Sequence, residues 1–489
     1  MMNSRDADVI VVGGGNAGFS AAHAAAERGR SVLVLEKASQ ESSGGNSYYT
    51  AGATRISHNG LDDLRDILDE DERHRVTEVP PYTEQDYTGD MERVTEGRND
   101  SELTRVLVSE SNGAVRWLHS LGMKYRLMYE RQAYDRPDGT YLFWGGLHVG
   151  NTGGGEGLIA DHVAIAERLG EKVLYDCNVV DLVAENERIV GVRVDAGGET
   201  REYRAESIIL AAGGFEANVA MREKYLGEGW GHAKLRGTPC NTGTLIEAGL
   251  KAGADRAGDW GSAHSVQWDA LTPNNESNRE LTNRLTRGGY PFGIIVNKDG
   301  ARFVDEGEDF RNYTYAKFGR EILKQPGNVG YQVFDAKSRP LLRSEEYEMP
   351  AISEFTADTL EGVAEAAGID VEGFTRTVTE FNANIDESRP FDPTIRDLRS
   401  SSVQPTKSNW ASAIDTAPFY VYPVTCGVTF TFGGLKSDVD GHVLDESGNR
   451  IEGLFVCGEM LGGLFSNNYP GGSGLAAGMV FGRRAGSHA

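Results

Sequence analysis

The chain has 489 residues, with 49 lysines and arginines against 73 aspartates and glutamates, so its formal net charge is −24. Nucleic acids and anionic membranes attract basic surfaces and are therefore excluded as good partners. The length predicts about two domains, and no apolar run reaches the ~18 residues that a transmembrane helix needs.

The cysteines and the start of the chain predict a compartment. Cys177, Cys240, Cys426 and Cys457 lie far apart and form neither a C-x-x-C pair nor a set with the spacing of metal ligands. An apolar strand begins at Val9, which leaves no room for a signal peptide. We therefore expect a cytoplasmic protein with reduced thiols and no metal site.

The first predicted elements form a β-α-β unit. The apolar run Val9–Val12 enters a G-x-G-x-x-G turn made by Gly13, Gly15 and Gly18. In this motif the glycines allow a tight turn, close approach of backbone to a pyrophosphate, and close helix–strand packing. A second apolar strand ends at Glu36, where a carboxylate binds ribose hydroxyls. The complete pattern predicts a bound adenine dinucleotide rather than a turn without a ligand.

Helices and strands then alternate along the chain. Amphipathic helices are predicted over residues 101–121 and 157–170, and strand-like alternation follows over 172–194. Two further apolar strands run into glycine turns within residues 207–215 and 453–459. An alternation of this kind is typical of an α/β fold with a parallel sheet.

Three separate strand-to-glycine turns favour FAD over NAD as the resident cofactor. They lie at residues 13–18, 211–215 and 457–459, whereas an NAD dehydrogenase typically needs one such crossover pair. FAD is longer and is held by several segments of one domain. Residues from about 256 to 425 differ in character and are predicted to form a second domain inserted into the first.

Several motifs resemble those of the FAD-dependent fumarate reductase and succinate dehydrogenase flavoprotein family. They are VIVVGGGNAGFSAA with LEK, GGNSYYTAGA, ERIVGVRV before SIILAAGGF, GIIVNKDGARFVDE, and GLFVCGEMLGGLFSNNYPGGSGLAAGMVFGRRAG. GGNS, RFVDEGEDFRNYTYA and CGVTFTFGG are most similar to the tricarballylate dehydrogenase branch. The resemblance implies a Rossmann-like FAD-binding domain, residues 1–255 and 426–489, interrupted by an α+β capping domain, residues 256–425.

The resemblance also implies which residues bind FAD. Glu36 would bind the adenosine ribose, Ala212 and Gly213 would pass the adenine side, and Glu459 would bind ribityl or pyrophosphate groups. The helix that begins at Gly474 would direct its N–H groups to the pyrimidine edge, where reduced flavin carries negative charge. The other implied contacts are Gly13, Gly15, Asn16, Ala17, Gly18, Lys37, Gly44, Gly45, Asn46, Ser47, Val180, Gly458, Ser473 and Leu475.

Two features of the resemblance concern FAD attachment and proton transfer. Some relatives attach FAD through a histidine after the GG motif, but residues 46–53 contain none, so non-covalent FAD is expected. Arg311 is the counterpart of the proton-shuttle arginine of fumarate reductases, although it lies one residue further from Glu306 than in the family pattern. The alternative is a surface arginine paired with Asp309.

The remaining candidates for catalysis depart in part from the family pattern. His264 falls where relatives carry a substrate-binding histidine, and Arg287 precedes two glycines as a family arginine does; either could instead be structural. Tyr469 stands where fumarate reductases have an arginine that clamps the substrate carboxylate. Tyrosine donates one hydrogen bond but carries no fixed charge, which argues against plain fumarate or succinate. The position instead resembles the carbonyl-polarising tyrosine of ketosteroid Δ1-dehydrogenases, unless Tyr469 only packs in a turn.

The predicted function is an FAD-dependent oxidoreductase that interconverts saturated and α,β-unsaturated acids or carbonyl compounds by hydride transfer at flavin N5. Tricarballylate-like polycarboxylates come first among the expected small acidic substrates. The alternatives are a flavin oxidase or monooxygenase of a biosynthetic pathway, a ketosteroid Δ1-dehydrogenase-like enzyme, an NAD-dependent enzyme, and a redox-binding flavoprotein without turnover. The sequence has no haem-attachment motif or iron–sulfur cysteine set, so electrons would pass to another chain or to oxygen.

Overall fold

The computed structural model describes residues 5–195, 198–273, 278–350 and 352–489. Two compact units divide the chain. The first unit consists of Met1–Leu226, Gly237–Ala263 and Phe430–Ala489, and the second of Gly227–Arg236 and His264–Thr429. No helix in the described ranges combines the length and hydrophobicity that crossing a bilayer requires.

A six-stranded sheet forms the centre of the first unit. In spatial order its strands are His442–Leu444, Arg450–Val456, Ser207–Leu210, Val9–Val12, Val32–Leu35 and Lys172–Leu174. Every pair is parallel except the first. The central strands are runs of valine, isoleucine and leucine because helices cover both faces of such a sheet. This arrangement confirms the predicted Rossmann-like α/β fold.

Three helices of the first unit matter most for the site: α1 (Asn16–Glu27), α2 (Gly154–Leu169) and α3 (Ser473–His488). Glycines of α3 allow its backbone to approach α1 closely. A Cβ atom at Gly482 would lie 2.5 Å from the Ala17 carbonyl oxygen, and one at Gly486 would overlap the Ala21 carbonyl. The start of α3 is therefore held beside the glycine turn that precedes α1.

The other elements of the first unit surround these helices and the central sheet. The longer helices are Glu84–Thr95, Ser101–Ser120, Val219–Tyr225 and Thr244–Lys251. One antiparallel sheet contains Asn178–Glu185, Arg188–Asp195 and Thr200–Arg204. Another joins Ala53–Thr54, Val149–Asn151 and Tyr125–Leu127, and a third joins Thr77–Glu78, Tyr141–Phe143 and Ala133–Asp135.

The second unit is an α+β structure built on a mixed sheet. Its main strands are Lys234–Leu235, Phe419–Thr431, Gly330–Phe334 and Ile294–Val296, with Ala263–Asp269 and Phe355–Ala357 also pairing with Phe419–Thr431. Its longer helices are Phe318–Leu323, Leu360–Ala367 and Val371–Ala383. Side chains of the last two helices pack on the sheet to form a buried apolar core. Residues 227–236 join this unit because Lys234–Leu235 pairs with the long strand. Whether this unit is a capping domain stays a prediction.

Candidate functional site

A cleft lies at the carboxyl ends of the central strands in the first unit. It encloses about 880 Å³ of space, part of it open to solvent. The predicted binding residues that line it are Gly13, Gly15, Asn16, Ala17, Glu36, Lys37, Gly45, Asn46, Ser47, Ala212, Gly213 and Glu459. Residues from distant parts of the sequence thus meet at the edge where open α/β sheets bind ligands.

The glycine turn has the shape that a pyrophosphate requires. Gly13 has a φ of 110°, and a Cβ atom there would overlap the Ala211 carbonyl oxygen. A Cβ atom at Gly18 would overlap the carbonyl oxygen of Gly13. At Gly15 it would meet only Ser47 Oγ at 3.5 Å and Gly44 O at 3.8 Å. Gly15 therefore leaves a cradle that any side chain would fill, at the N-terminus of α1 where phosphates bind.

Glu36, the predicted ribose-binding residue, lines the cleft. Its buried carboxylate accepts hydrogen bonds from the backbone N–H groups of Gly14 at 2.6 Å and Ala38 at 2.8 Å. Burial raises the pKa of Glu36, and the two N–H donors oppose this rise. The same carboxylate thus fixes the glycine turn and faces the cleft, as a ribose-binding residue must.

Glu459 lies against a second carboxyl group, Glu216, that sequence reasoning missed. Glu459 Oε1 accepts from the Thr431 N–H at 2.8 Å. Glu216 Oε1 accepts from Asn241 Nδ2 at 2.6 Å and from Asn46 Nδ2 at 2.7 Å. Burial raises the pKa of both carboxyl groups, and the charge of Glu216 and their shared hydrogen bond raise that of Glu459 further. Like charges this close cannot both ionise readily, so the two carboxyl groups share one proton.

The shared proton predicts a pH-dependent stability. A carboxyl group whose pKa is raised by folding contributes its full stabilisation below its ordinary pKa of 4.5. That contribution is lost as the pH rises through the higher pKa of the folded state. Glu459→Gln keeps a donor toward Glu216 without a titrating proton. We expect the melting temperature of the wild type to fall more steeply than that of the variant as pH rises above about 5. If the melting temperatures of the wild type and the variant fall in parallel as pH rises, Glu459 and Glu216 do not share a proton.

Tyr469 lies beside the first turn of α3. Its ring makes edge-to-face contacts with Phe430 and Phe465, at centroid distances of 5.2 and 5.4 Å. A Cβ atom at Gly474 would lie 3.8 Å from Phe430 and 3.9 Å from Tyr469. The tyrosine that is predicted to stand in place of a clamp arginine therefore lies among aromatic rings at the start of α3, with Ser473 and Leu475 in its first turn.

The remaining predicted binding residues vary in their relation to the cleft. Lys37 Nζ donates to Thr242 Oγ1 at 3.3 Å on the cleft wall. Gly44 and Gly458 have positive φ values of 104° and 66° in the turns that bring Asn46 and Glu459 to the cleft. Val180 is 36% exposed, and its neighbour Val179 lines the cleft instead. The contacts that each makes with a cofactor stay predictions.

The second unit brings Arg287 and Arg311 to one buried glutamate, Glu346. Arg287 Nη1 donates to the Glu346 carbonyl oxygen at 2.7 Å, and its Nη2 donates to Asp269 Oδ2 at 2.8 Å. Glu346 Oε2 accepts from the Gly288 N–H at 3.0 Å, and its Oε1 lies 3.5 Å from Arg311 Nη1. Arg287 therefore holds the segment of Glu346 in place, and Glu346 forms ion pairs with both Arg343 and the predicted proton shuttle, Arg311.

His264 lies elsewhere in the second unit, near an arginine that sequence reasoning missed. The histidine is buried, and its ring makes an edge-to-face contact with Tyr315 at 5.1 Å. Burial and the charge of Arg236 hold the pKa of His264 well below its usual range, so the ring is neutral. Arg236 Nη1 donates to Thr429 Oγ1 at 2.6 Å. No sequence motif identifies Arg236, because it comes close to His264 and Thr429 only when Lys234–Leu235 pairs with the strand Phe419–Thr431.

Comparison with known proteins agrees with this geometry. The family model described as an FAD binding domain matches residues 8–475. The NADH:acrylate oxidoreductase of Vibrio harveyi is 28% identical over 99% of this chain and 50% of its own length, so the chain spans about half of that relative. The open conformation of a flavocytochrome c3 fumarate reductase aligns with 26% identity and a TM-score of 0.72, covering 99% of this chain and 78% of that one.

A 3-ketosteroid delta1-dehydrogenase from Sterolibacterium denitrificans also aligns, with a TM-score of 0.75 and 22% identity over 99% of each chain; this likeness shows the shared fold alone. The closer similarity to tricarballylate dehydrogenases stays a prediction. The family model covers most of the sequence, and the glycine cradle, Glu36 and the extended cleft fit its cofactor. The chain therefore belongs to the FAD-binding domain family, the flavoprotein family of the fumarate reductases, and FAD is its cofactor.

Proposed function

We propose that the chain is an FAD-dependent oxidoreductase acting on CH–CH bonds, which interconverts saturated and α,β-unsaturated carboxylic acids or carbonyl compounds. When bound, FAD supplies the hydride acceptor or donor for such a bond. The observation that carries the proposal is the ion pair between Arg311 and the buried Glu346. A flavin dehydrogenase needs a proton carrier in addition to its cofactor, and this pair is suited to that task.

The pair is arranged to move a proton. Arg311 is mostly buried, and the side chain of Glu346 is fully buried. The Gly288 N–H fixes one oxygen of Glu346, and the other oxygen, Oε1, faces the guanidinium groups of Arg311 at 3.5 Å and Arg343 at 3.4 Å. We assign to Arg311 the transfer of a proton to or from the substrate carbon, and to Glu346 its exchange with Arg311. Positioned proton transfer of this kind typically contributes about 10²–10⁴-fold to the rate.

The substrate class follows from two features. Arg236 lies near His264, and Arg311 and Arg287 both contact Glu346. Cationic side chains beside these substrate-binding candidates favour an acidic substrate. Tricarballylate-like polycarboxylates are therefore the first candidates. Tyr469, with Phe430 and Phe465 beside it, favours instead a carbonyl compound with an apolar body. The second candidate function is therefore the dehydrogenation of an apolar ketone, with Tyr469 donating a hydrogen bond to the carbonyl oxygen.

Electron transfer, FAD attachment and compartment remain proposals. The chain spans half the length of a relative whose name includes NADH. We propose that the flavin of this chain exchanges electrons with a separate protein or with oxygen. Non-covalent FAD is proposed because residues 46–53 contain no histidine. A cytoplasmic location is proposed as well.

Anaerobic reduction of the bound flavin tests the proposed function. The holoprotein is mixed with saturated di- and tricarboxylates, amino acids and ketosteroids, and the flavin absorbance near ~450 nm is followed. We expect rapid bleaching by one class, since a saturated substrate transfers its hydride without another reactant. Bleaching by polycarboxylates supports the first candidate and bleaching by ketosteroids the second. If nothing bleaches the flavin, and oxygen instead reoxidises the chemically reduced enzyme in a substrate-dependent way, the enzyme is a monooxygenase.

A further inference from the structure

Buried hydrogen bonds connect Glu171 with Asn16 through two histidines of the first unit. Glu171 Oε1 lies 2.7 Å from His23 Nδ1. His23 Nε2 lies 3.0 Å from His162 Nδ1, and His162 Nε2 lies 3.1 Å from Asn16 Oδ1. All four side chains are almost completely shielded from solvent. Polar groups are rarely buried together in this way without a specific role.

The proton positions in this chain of contacts follow from its Asn16 end. Asn16 Nδ2 donates to the Leu475 carbonyl oxygen at 2.9 Å, so Asn16 Oδ1 must be the acceptor from His162 Nε2–H. Burial holds the pKa of His162 well below its usual range, so its Nδ1 carries no proton and accepts from His23 Nε2–H. The other nitrogen of His23, Nδ1, faces Glu171 Oε1. The two N–H donors that this arrangement fixes, His162 Nε2–H and His23 Nε2–H, therefore both point toward Asn16.

Asn16 connects the cleft with the start of α3, which is predicted to face the flavin. It is the first residue of α1 and lines the cleft, and its backbone N–H donates to Ser47 Oγ at 3.0 Å. Its side chain binds the first turn of α3 through Leu475. A Cβ atom at Gly478 would lie 2.8 Å from Asn16 Nδ2, so α3 has a glycine where the amide needs room. Rotation of this amide would place oxygen against oxygen at Leu475.

We propose that Glu171, His23 and His162 are positioning residues that fix the amide of Asn16 and, through it, the start of α3 relative to the glycine turn. A helix N-terminus stabilises negative charge, and reduced flavin carries more of it than oxidised flavin. Loss of this alignment weakens the binding of reduced FAD more than that of oxidised FAD. The proposal requires FAD as cofactor but is independent of the proposed reaction.

The test compares His162→Leu with His162→Gln in the holoprotein. The FAD dissociation constant and the midpoint potential of the bound flavin are measured. For His162→Leu we expect the dissociation constant of oxidised FAD to rise about tenfold and that of reduced FAD about tenfold more. The potential then falls by about 30 mV, since tenfold corresponds to 29.6 mV in a two-electron couple. Glutamine retains a donor toward Asn16 and an acceptor toward His23, so both quantities stay within about twofold of the wild type.

Phe19→Leu is the matched control for packing. Phe19 stacks on the rings of His23 and His162, at centroid distances of 5.9 and 5.4 Å, so this substitution removes packing but no hydrogen bond. We expect a lower melting temperature with unchanged FAD affinity and potential.

Two results would overturn the proposal. In one, His162→Leu behaves like Phe19→Leu and leaves affinity and potential unchanged; in the other, His162→Gln is as impaired as His162→Leu. If His162→Leu does not fold, Glu171→Ala, which removes the partner that orients His23, replaces it. Glu171→Ala should also lower the midpoint potential of the bound flavin. An unchanged potential in Glu171→Ala would refute the positioning role. Neither readout involves a substrate, so failure of the proposed reaction would leave the result interpretable.

Discussion

Replacing Arg311 by glutamine should lower turnover by about 10²–10⁴-fold, the usual contribution of a positioned proton donor or acceptor. Glutamine retains hydrogen-bond donors but has no proton to give at neutral pH. The ion pair with Glu346 at 3.5 Å would be lost as well, which leaves a buried carboxylate less well compensated. Steady-state kinetics on the substrate that bleaches the flavin measure the effect, which should fall on kcat more than on KM.

Arg389→Gln is the control for Arg311→Gln. Arg389 is also in the second unit, but it is half exposed and its ion pair with Asp386 spans 3.9 Å, so its loss should leave turnover unchanged. The flavin spectrum should be normal in both variants, because the glycine turn and the cleft belong to the first unit. If Arg311→Gln retains more than half of the wild-type kcat, Arg311 only neutralises Glu346, and the proton carrier is another group.

Much of the FAD site could be predicted from the sequence because its signals are local. Gly13, Gly15 and Gly18 lie in one turn, and each spacing has a direct steric meaning. Glu36 follows at the end of the next strand, which makes its position near the turn a consequence of parallel pairing between Val9–Val12 and Val32–Leu35. The Rossmann-like sheet was predictable for the same reason, since continuous apolar runs before glycine turns are typical of buried parallel strands.

The groups that sequence reasoning missed acquire their partners only through tertiary structure. His23 and His162 are 139 positions apart, and each alone resembles an ordinary polar residue on an amphipathic helix. Glu346 reaches Gly288 across 58 positions and follows no recognisable motif. Glu216 follows the glycine turn at Gly213 and Gly214, but its pairing with Glu459 depends on the neighbouring parallel strand. Such contacts between distant segments leave no periodicity or spacing in the sequence.

Gly15→Leu should abolish tight FAD binding while leaving the fold of the first unit intact. A Cβ atom at Gly15 meets no atom closer than 3.5 Å, so the backbone tolerates a side chain there. The leucine side chain would nevertheless occupy the cradle and keep the pyrophosphate away from the N–H groups at the start of α1. A hydrogen bond to a charged group contributes about 1.5–3 kcal/mol, so the loss of even one raises the dissociation constant by about tenfold to a hundredfold.

A second glycine-to-leucine substitution separates the filling of the cradle from any effect that a leucine side chain has on the fold in general. Gly113 lies in the helix Ser101–Ser120 of the same unit, where a Cβ atom would meet nothing within 4 Å, so Gly113→Leu should bind FAD normally. Equilibrium dialysis with flavin fluorescence gives both affinities, and circular dichroism compares the folds. Normal FAD binding by Gly15→Leu would mean that the phosphates lie away from this turn. The cofactor would then be held mainly by the segments that bring Glu36, Asn46 and Glu459 to the cleft, and the opening motif would serve only to pack α1 against the sheet.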